Sequence, residues 1–218
     1  MIAAANAVSC WSNWEGTLSL QIQQHPFSNA EQFRKWLSQW GLARRVKLKP
    51  PSRTSRLQEF LDFTARPMFL GVANANEEAF NHVITLTNLA VETGKTECRE
   101  LSMLSKYAFS CNPRIFVPYD KRARDALREV WRHKFKDGDY IAYMNAFDAA
   151  KVEVVSRLAS IGVTSDTFSI SGRKLDKALF ELRVTDKRLM LAGGFNAGTM
   201  LKECRKLDQN LEAMLRRK

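Results

Sequence analysis

Along most of this chain the apolar residues recur every three or four positions, and only rarely every second one. That spacing lines one face of a helix, whereas a half-buried strand needs strict alternation. Residues 28–39 begin with Ser28 as a cap, carry Phe33, Trp36, Leu37 and Trp40 on one side, and stop at Gly41. A helix starting at Asn74 or Asn76 carries Phe80, Val83, Ile84, Thr87 and Ala90 or Val91. Further helices are expected over residues 98–108, 120–135, 139–160 and 173–182, and from Ala197 onward. In 120–135 the inward residues are Ala123, Leu127, Val130, Trp131 and Phe135. Strand signals are confined to 17–22, where LSLQI alternates, and to Val46–Leu48. The expected fold class is therefore mainly α, with at most a small N-terminal β element.

Charge narrows the partner. Thirty-four Lys and Arg face 23 Asp and Glu, a net charge of +11. Such an excess favours a polyanion, because each neutralised phosphate releases counterions. Residues 41–56 hold six cations, no acid and the Pro50-Pro51 pair. They read as a basic loop between an N-terminal section (1–56), separate or packed into the main body, and a helical domain (57–218). Arg44, Arg45 and Lys47 in that loop are candidate phosphate contacts. Residues 121–136 carry seven cations against two acids, and 202–218 six against three. Lys121, Arg124, Arg128 and Arg132 recur at helical spacing opposite an apolar stripe, a geometry that can follow a phosphate backbone. Aromatics can stack on exposed bases, but Trp36 and Trp40, four apart, read as core, and Trp11 and Trp14 are less easily assigned.

Other classes lose support. Cys10, Cys98, Cys111 and Cys204 are scattered, with no C-x-x-C pair and no neighbouring histidine, so no metal or iron–sulfur site is expected. Reduced thiols fit a cytoplasmic protein. The opening MIAAANAVSC lacks a basic n-region, is short and is interrupted by Asn6, so it does not read as a secretion signal. No apolar run is long enough for a membrane span. His25, His82 and His133 are isolated, which leaves a nuclease or toxin site without its usual groups.

The stretch with chemical content is 102–127, SMLSKYAFSCNPRIFVPYDKRARDAL. A helix holding Lys106 breaks at Asn112-Pro113, a short apolar crossing follows, and Asp120 opens a basic helix. An aspartate at a helix start is fixed by its cap and favoured in its charged form by the dipole. Ser105-Lys106, Asn112-Pro113, Pro118 and Asp120 resemble the corresponding region of 8-oxoguanine DNA glycosylases and their bacterial relatives, in the helix-hairpin-helix DNA glycosylase superfamily. The resemblance covers about 25 residues strongly. It implies a multi-helix glycosylase fold acting as a monomer on double-stranded DNA with a flipped base, and no cofactor. It makes Asp120 the essential carboxylate and Lys106 the candidate amine. The L-P-G-V-G run usual before the family's lysine is missing, the lysine-to-aspartate interval is shorter, and the nearest glycine, Gly94, precedes Lys95, a second candidate. Lys121, Arg122, Arg124 and Arg128 would hold phosphates around the lesion.

On that resemblance the chain excises a damaged or modified base, in base-excision repair or in antiviral defence against modified phage DNA. Lys106 attack at C1′ would add strand cleavage by an AP-lyase step; water attack would leave an abasic site. The alternative is a non-enzymatic DNA- or RNA-binding helical protein in which Asp120 is only a cap.

Overall fold

A computed structural model describes residues 1–43 and 51–206, with side chains from Thr54 onward in the second stretch. In chain order the helices are α1 (Ile2–Cys10), α2 (Gly16–Gln24), α3 (Ala30–Gln39), α4 (Pro51–Phe60), α5 (Arg66–Leu70), α6 (Glu77–Glu92), α7 (Leu101–Cys111), α8 (Lys121–Glu129), α9 (Tyr140–Ala159), α10 (Lys177–Ala192) and α11 (Ala197–Arg205). Wider π-helical turns, Trp11–Glu15 and Leu61–Ala65, join α1 to α2 and α4 to α5. The protein is mainly α, and the one β element among the described residues is an isolated bridge between Ile170 and Arg173. Ser171 and Gly172, both at positive φ, make the tight turn between them. No helix among the described residues is long and apolar enough to cross a membrane.

The chain divides into two compact units. The first comprises residues 1–17, 120–137 and 142–218; the second comprises 18–119 and 138–141. Residue 56, the boundary read from the sequence, lies inside α4.

In the first unit α1 packs against α10 and α11, and α8 packs against α10. Ala3, Ala4, Ala5 and Ala7 give α1 almost no side-chain relief, so Leu179, Phe180 and Val184 of α10 close around it. Asn6 crosses to α11 by donating its side-chain amide to the Met200 carbonyl at 3.0 Å. The second unit is built on aromatics. Trp36 stands edge-on to Tyr107 at 5.6 Å and stacked on Phe33, while Phe69 meets Phe116 at 5.2 Å. Two polar groups buried among these rings are paired: Trp36 Nε1 donates to Ser110 Oγ, and Asp62 Oδ1 accepts from the Phe27 N–H and the Tyr107 hydroxyl.

Most expected helices are found within a few residues, capped by Asn29, Asn76, Asp176 and Asn196. Ser28 sits one residue before the cap Asn29 and bonds Gln32. The helix expected over 173–182 begins at Lys177 and runs on to Ala192, and that expected over 98–108 spans Leu101–Cys111. Two expectations need larger correction. Residues 17–22 are helical, not extended: Leu18 and Ile22, four apart, are buried on one face while Leu20 is 53% exposed. The LSLQI pattern satisfies both periods at Leu18 and Ile22, and burial chose the helical one. The helix expected over 120–135 ends at Glu129. Its last carbonyls, Ala126 and Leu127, are taken by the N–H groups of Trp131 and His133 around Arg132, whose φ is 61°. Val130, expected inward, is exposed. Val46–Leu48 lie outside the described residues.

The α8–α10 contact is close enough to dictate a glycine. A Cβ built on Gly193 would stand 2.0 Å from the Arg122 carbonyl oxygen. Gly193→Ala must push the two helices apart, and is expected to cost about 1–3 kcal/mol, read as a lower urea midpoint at unchanged slope.

Candidate active site

The second unit holds Lys106. Every residue of α7 from Met103 to Cys111 is buried, so the helix offers no solvent face on which a lysine could rest. Lys106 is 7% exposed, and its Nζ donates to the Trp40 carbonyl at 3.4 Å. Its neighbour Ser105 accepts from the Tyr119 N–H at 2.8 Å and donates to the Ser102 carbonyl. That bond fixes the end of the 112–119 crossing against α7. Asn112 ends α7 because Pro113 biases the residue before it towards extended backbone. Its carbonyl then receives the N–H groups of Ile115 and Phe116. Phe116 and Val117 are buried, and the Tyr140 hydroxyl donates to the Val117 carbonyl at 2.7 Å. Lys95 follows Gly94, which closes α6 at positive φ. No helix starts there.

Asp120 belongs to the first unit. Its backbone is extended and its Oδ1 accepts from the Arg122 N–H at 3.0 Å, which makes it the N-cap of α8. The four cations expected to hold phosphates share this helix, and each has a protein partner. Arg124 and Arg128 both pair with Asp137, and Arg128 also donates to the Phe135 carbonyl and lies over its ring at 4.5 Å. Arg122 donates to the Gly194 carbonyl at 2.6 Å and lies over Phe195. Lys121, 69% exposed, pairs with Asp125 one turn on. Asp137 draws its carboxyl below the usual range through its hydrogen bond from Arg128. Arg44, Arg45 and Lys47 lie outside the described residues.

Sequence reasoning did not find the densest charge cluster of the first unit. Arg183 grips Glu15 with two nitrogens, Nε at 3.0 Å and Nη2 at 2.5 Å, and gives Nη1 to Asp186 Oδ2 at 2.7 Å. Lys187 Nζ reaches Glu15 Oε1 at 3.2 Å. All four groups are buried. Positions 183, 186 and 187 share one face of α10. Glu15 comes from the π-helical turn, whose closing N–H, Gly16, bonds the Trp11 carbonyl five residues back. A Cβ at Gly16 would meet that carbonyl and the Trp11 ring at 2.9 Å. Burial works to raise the Glu15 carboxyl, but Arg183 and Lys187 outweigh it and hold Glu15 below its usual range. Asp186 goes the other way: burial raises it, Arg183 and Lys187 only partly offset this, and Asp120 and Glu15 push with burial. Cys10 is driven up to about 11, chiefly by burial. The signal in the sequence was Glu15 itself, the one charged residue among the first 24.

Glu15→Gln leaves Arg183 and Lys187 buried without their shared anion, and should lose about 3–5 kcal/mol at neutral pH. The native carboxyl is lowered, so its stabilisation is complete above the ordinary carboxylate value and is lost as pH falls through the native one. Urea unfolding of wild type and mutant should therefore diverge at pH 7 and converge in acid.

Comparison of the chain with protein-family models, with curated proteins and with solved structures found no match.

Proposed function

We propose that the chain is a DNA glycosylase that takes one nucleotide out of the duplex stack and hydrolyses its N-glycosidic bond, with Asp120 as the carboxylate at the sugar. The observation that carries this reading is the capped Asp120, within a stretch that resembles the corresponding region of helix-hairpin-helix glycosylases. Its carboxylate is anchored by the Arg122 N–H where the helix dipole favours negative charge. A fixed anion at that place meets the need of the reaction, because the sugar becomes cationic as the base departs. Asp120 accepts a proton from water as the water oxygen bonds C1′. The C1′–N bond breaks, and its electron pair leaves with the base, which takes up a proton from solvent. Water is the favoured nucleophile, since the Lys106 amine is buried on α7 and engaged with the Trp40 carbonyl.

The phosphate contacts follow from the same geometry. Arg124 and Arg128 brace the 130–137 turn through Asp137, so they belong to the frame. Among the described residues Lys121 is held by an exposed pair, which is weak enough to give way to a phosphate. Lys121→Ala should weaken binding to all DNA sequences alike and reduce the salt slope by about 1.

The decisive assay offers duplexes carrying oxidised purines and other modified bases, and uses alkali to reveal abasic sites. Asp120→Asn keeps the cap, so the protein should fold and bind DNA while base release falls by about 10³-fold. Borohydride should trap no adduct with wild type. A folded Asp120→Asn protein with full activity would overturn the assignment of Asp120. Binding without base release from any duplex would leave a nucleic-acid-binding protein in its place.

A further inference from the structure

Directly after α8, residues 130–136 hold Arg132, His133, Lys134 and Lys136 and no acid. From residue 132 to 136 the chain is neither helix nor strand, and exposure alternates along it. Trp131, His133 and Phe135 are half-buried, while Arg132, Lys134 and Lys136 are exposed. The alternation is that of an extended run, which sends successive side chains to opposite sides. The inner side is well anchored. The N–H groups of Trp131 and His133 bond the Ala126 and Leu127 carbonyls. The Arg128 guanidinium lies over the Phe135 ring and donates to the Phe135 carbonyl, and Phe135 stands edge-on to Tyr143 at 6.1 Å. Asp137 closes the segment through Arg124 and Arg128. On the outer side, no ion pair or side-chain hydrogen bond among the described residues holds Arg132, Lys134 or Lys136. These cations stand two residues apart, at most about 7 Å along the backbone. That is inside the Debye length of about 8 Å at physiological salt, so they repel one another. The acid that follows them, Asp137, is already engaged by two arginines of α8. Folding gains nothing from this row of charge, yet the fold braces it firmly.

We propose that the outer edge of residues 132–136 is a docking surface for the sugar–phosphate backbone of duplex DNA, with Arg132, Lys134 and Lys136 as its phosphate contacts. The choice of DNA rests on the function proposed above; the edge itself rests on the geometry. A regular row of cations matches a partner whose charges repeat as regularly, and the phosphates of a strand do so. Arg124 and Arg128 then serve binding at one remove: they spend their charge on Asp137 and Phe135, and so hold the edge in shape before DNA arrives. A surface already ordered loses less freedom on binding. Contacts of this kind position the duplex and read no sequence.

The test removes the three charges and keeps the turn. Arg132 has a φ of 61°, a conformation that Asn tolerates, so the variant is Arg132→Asn with Lys134→Gln and Lys136→Gln. Binding to an unmodified duplex is followed against salt. The slope of log affinity on log salt should fall by about 2.7, or about 0.9 for each cation, and by the same amount for duplexes of different sequence. The Lys134→Gln, Lys136→Gln double variant leaves the turn residue untouched and should lose about 1.8, which keeps the test open if the triple variant does not fold. The control is Arg34→Gln, Lys35→Gln, Arg173→Gln, three exposed cations placed elsewhere. An unchanged slope in the 132–136 variants, or an equal loss in the control, overturns the proposal. So does a wild type that binds vesicles of phosphatidylserine and phosphatidylcholine in equal parts more tightly than the duplex. Base release by a wild type whose binding ignores these three residues would leave the glycosylase reading standing and this surface refuted. The expected loss of slope in a protein that releases no base from any duplex would do the reverse.

Discussion

The two-pronged grip of Arg183 on Glu15 ties the π-helical turn after α1 to the middle of α10 across 168 residues of sequence. Taking two such charges out of water costs several kcal/mol per ion, and only good geometry with further hydrogen bonds repays it. The geometry is good here: the guanidinium gives one edge to Glu15, a third nitrogen to Asp186, and Lys187 adds a second cation to the same carboxylate. The alanines of α1 let α10 approach closely. The π-helical turn is part of the same solution, because its extra residue sets where Glu15 points, and Gly16 is the residue that lets the turn close beneath the Trp11 ring.

Local pairing changes the meaning of the net charge. A count of +11 suggests a surface ready for phosphate. In α8 the cations Lys121, Arg122, Arg124 and Arg128 each also have a partner within the protein, among Asp125, Gly194, Asp137 and Phe135. Arg124 and Arg128 converge on one carboxylate and so fix the turn that ends the helix. The uncompensated charge is better sought in sequence blocks such as 44–50, which has four cations and no acid. A binding surface and a structural brace can share a composition and differ only in where the acids stand.

Helix positions were legible because caps and periodicity agree. Asn76 and Asp120 each stand before an apolar repeat and each accepts from a backbone N–H of the first turn. The strand reading of 17–22 failed where two periods share Leu18 and Ile22, and only the exposure of Leu20 separates them. The length of α8 was misread because the apolar spacing runs on through Trp131 and Phe135, while the true stop is made by Arg132 at positive φ and by Asp137 reaching back. Asp120 was legible as a cap. Asp186 was not, since its meaning lies in partners 171 and 3 residues away, Glu15 acting through its charge and Arg183 through a hydrogen bond.

The place of Asp120 is fixed by its cap and by the packing of α8 on α10. Its backbone is extended by the cap, and the next turn of α8 is pinned to α10 by the Arg122 side chain on the Gly194 carbonyl and the Arg122 backbone against Gly193. An amide at position 120 can accept from the same N–H, so position and charge can be varied separately. Asp186 takes the third nitrogen of the buried Arg183 guanidinium through its Oδ2.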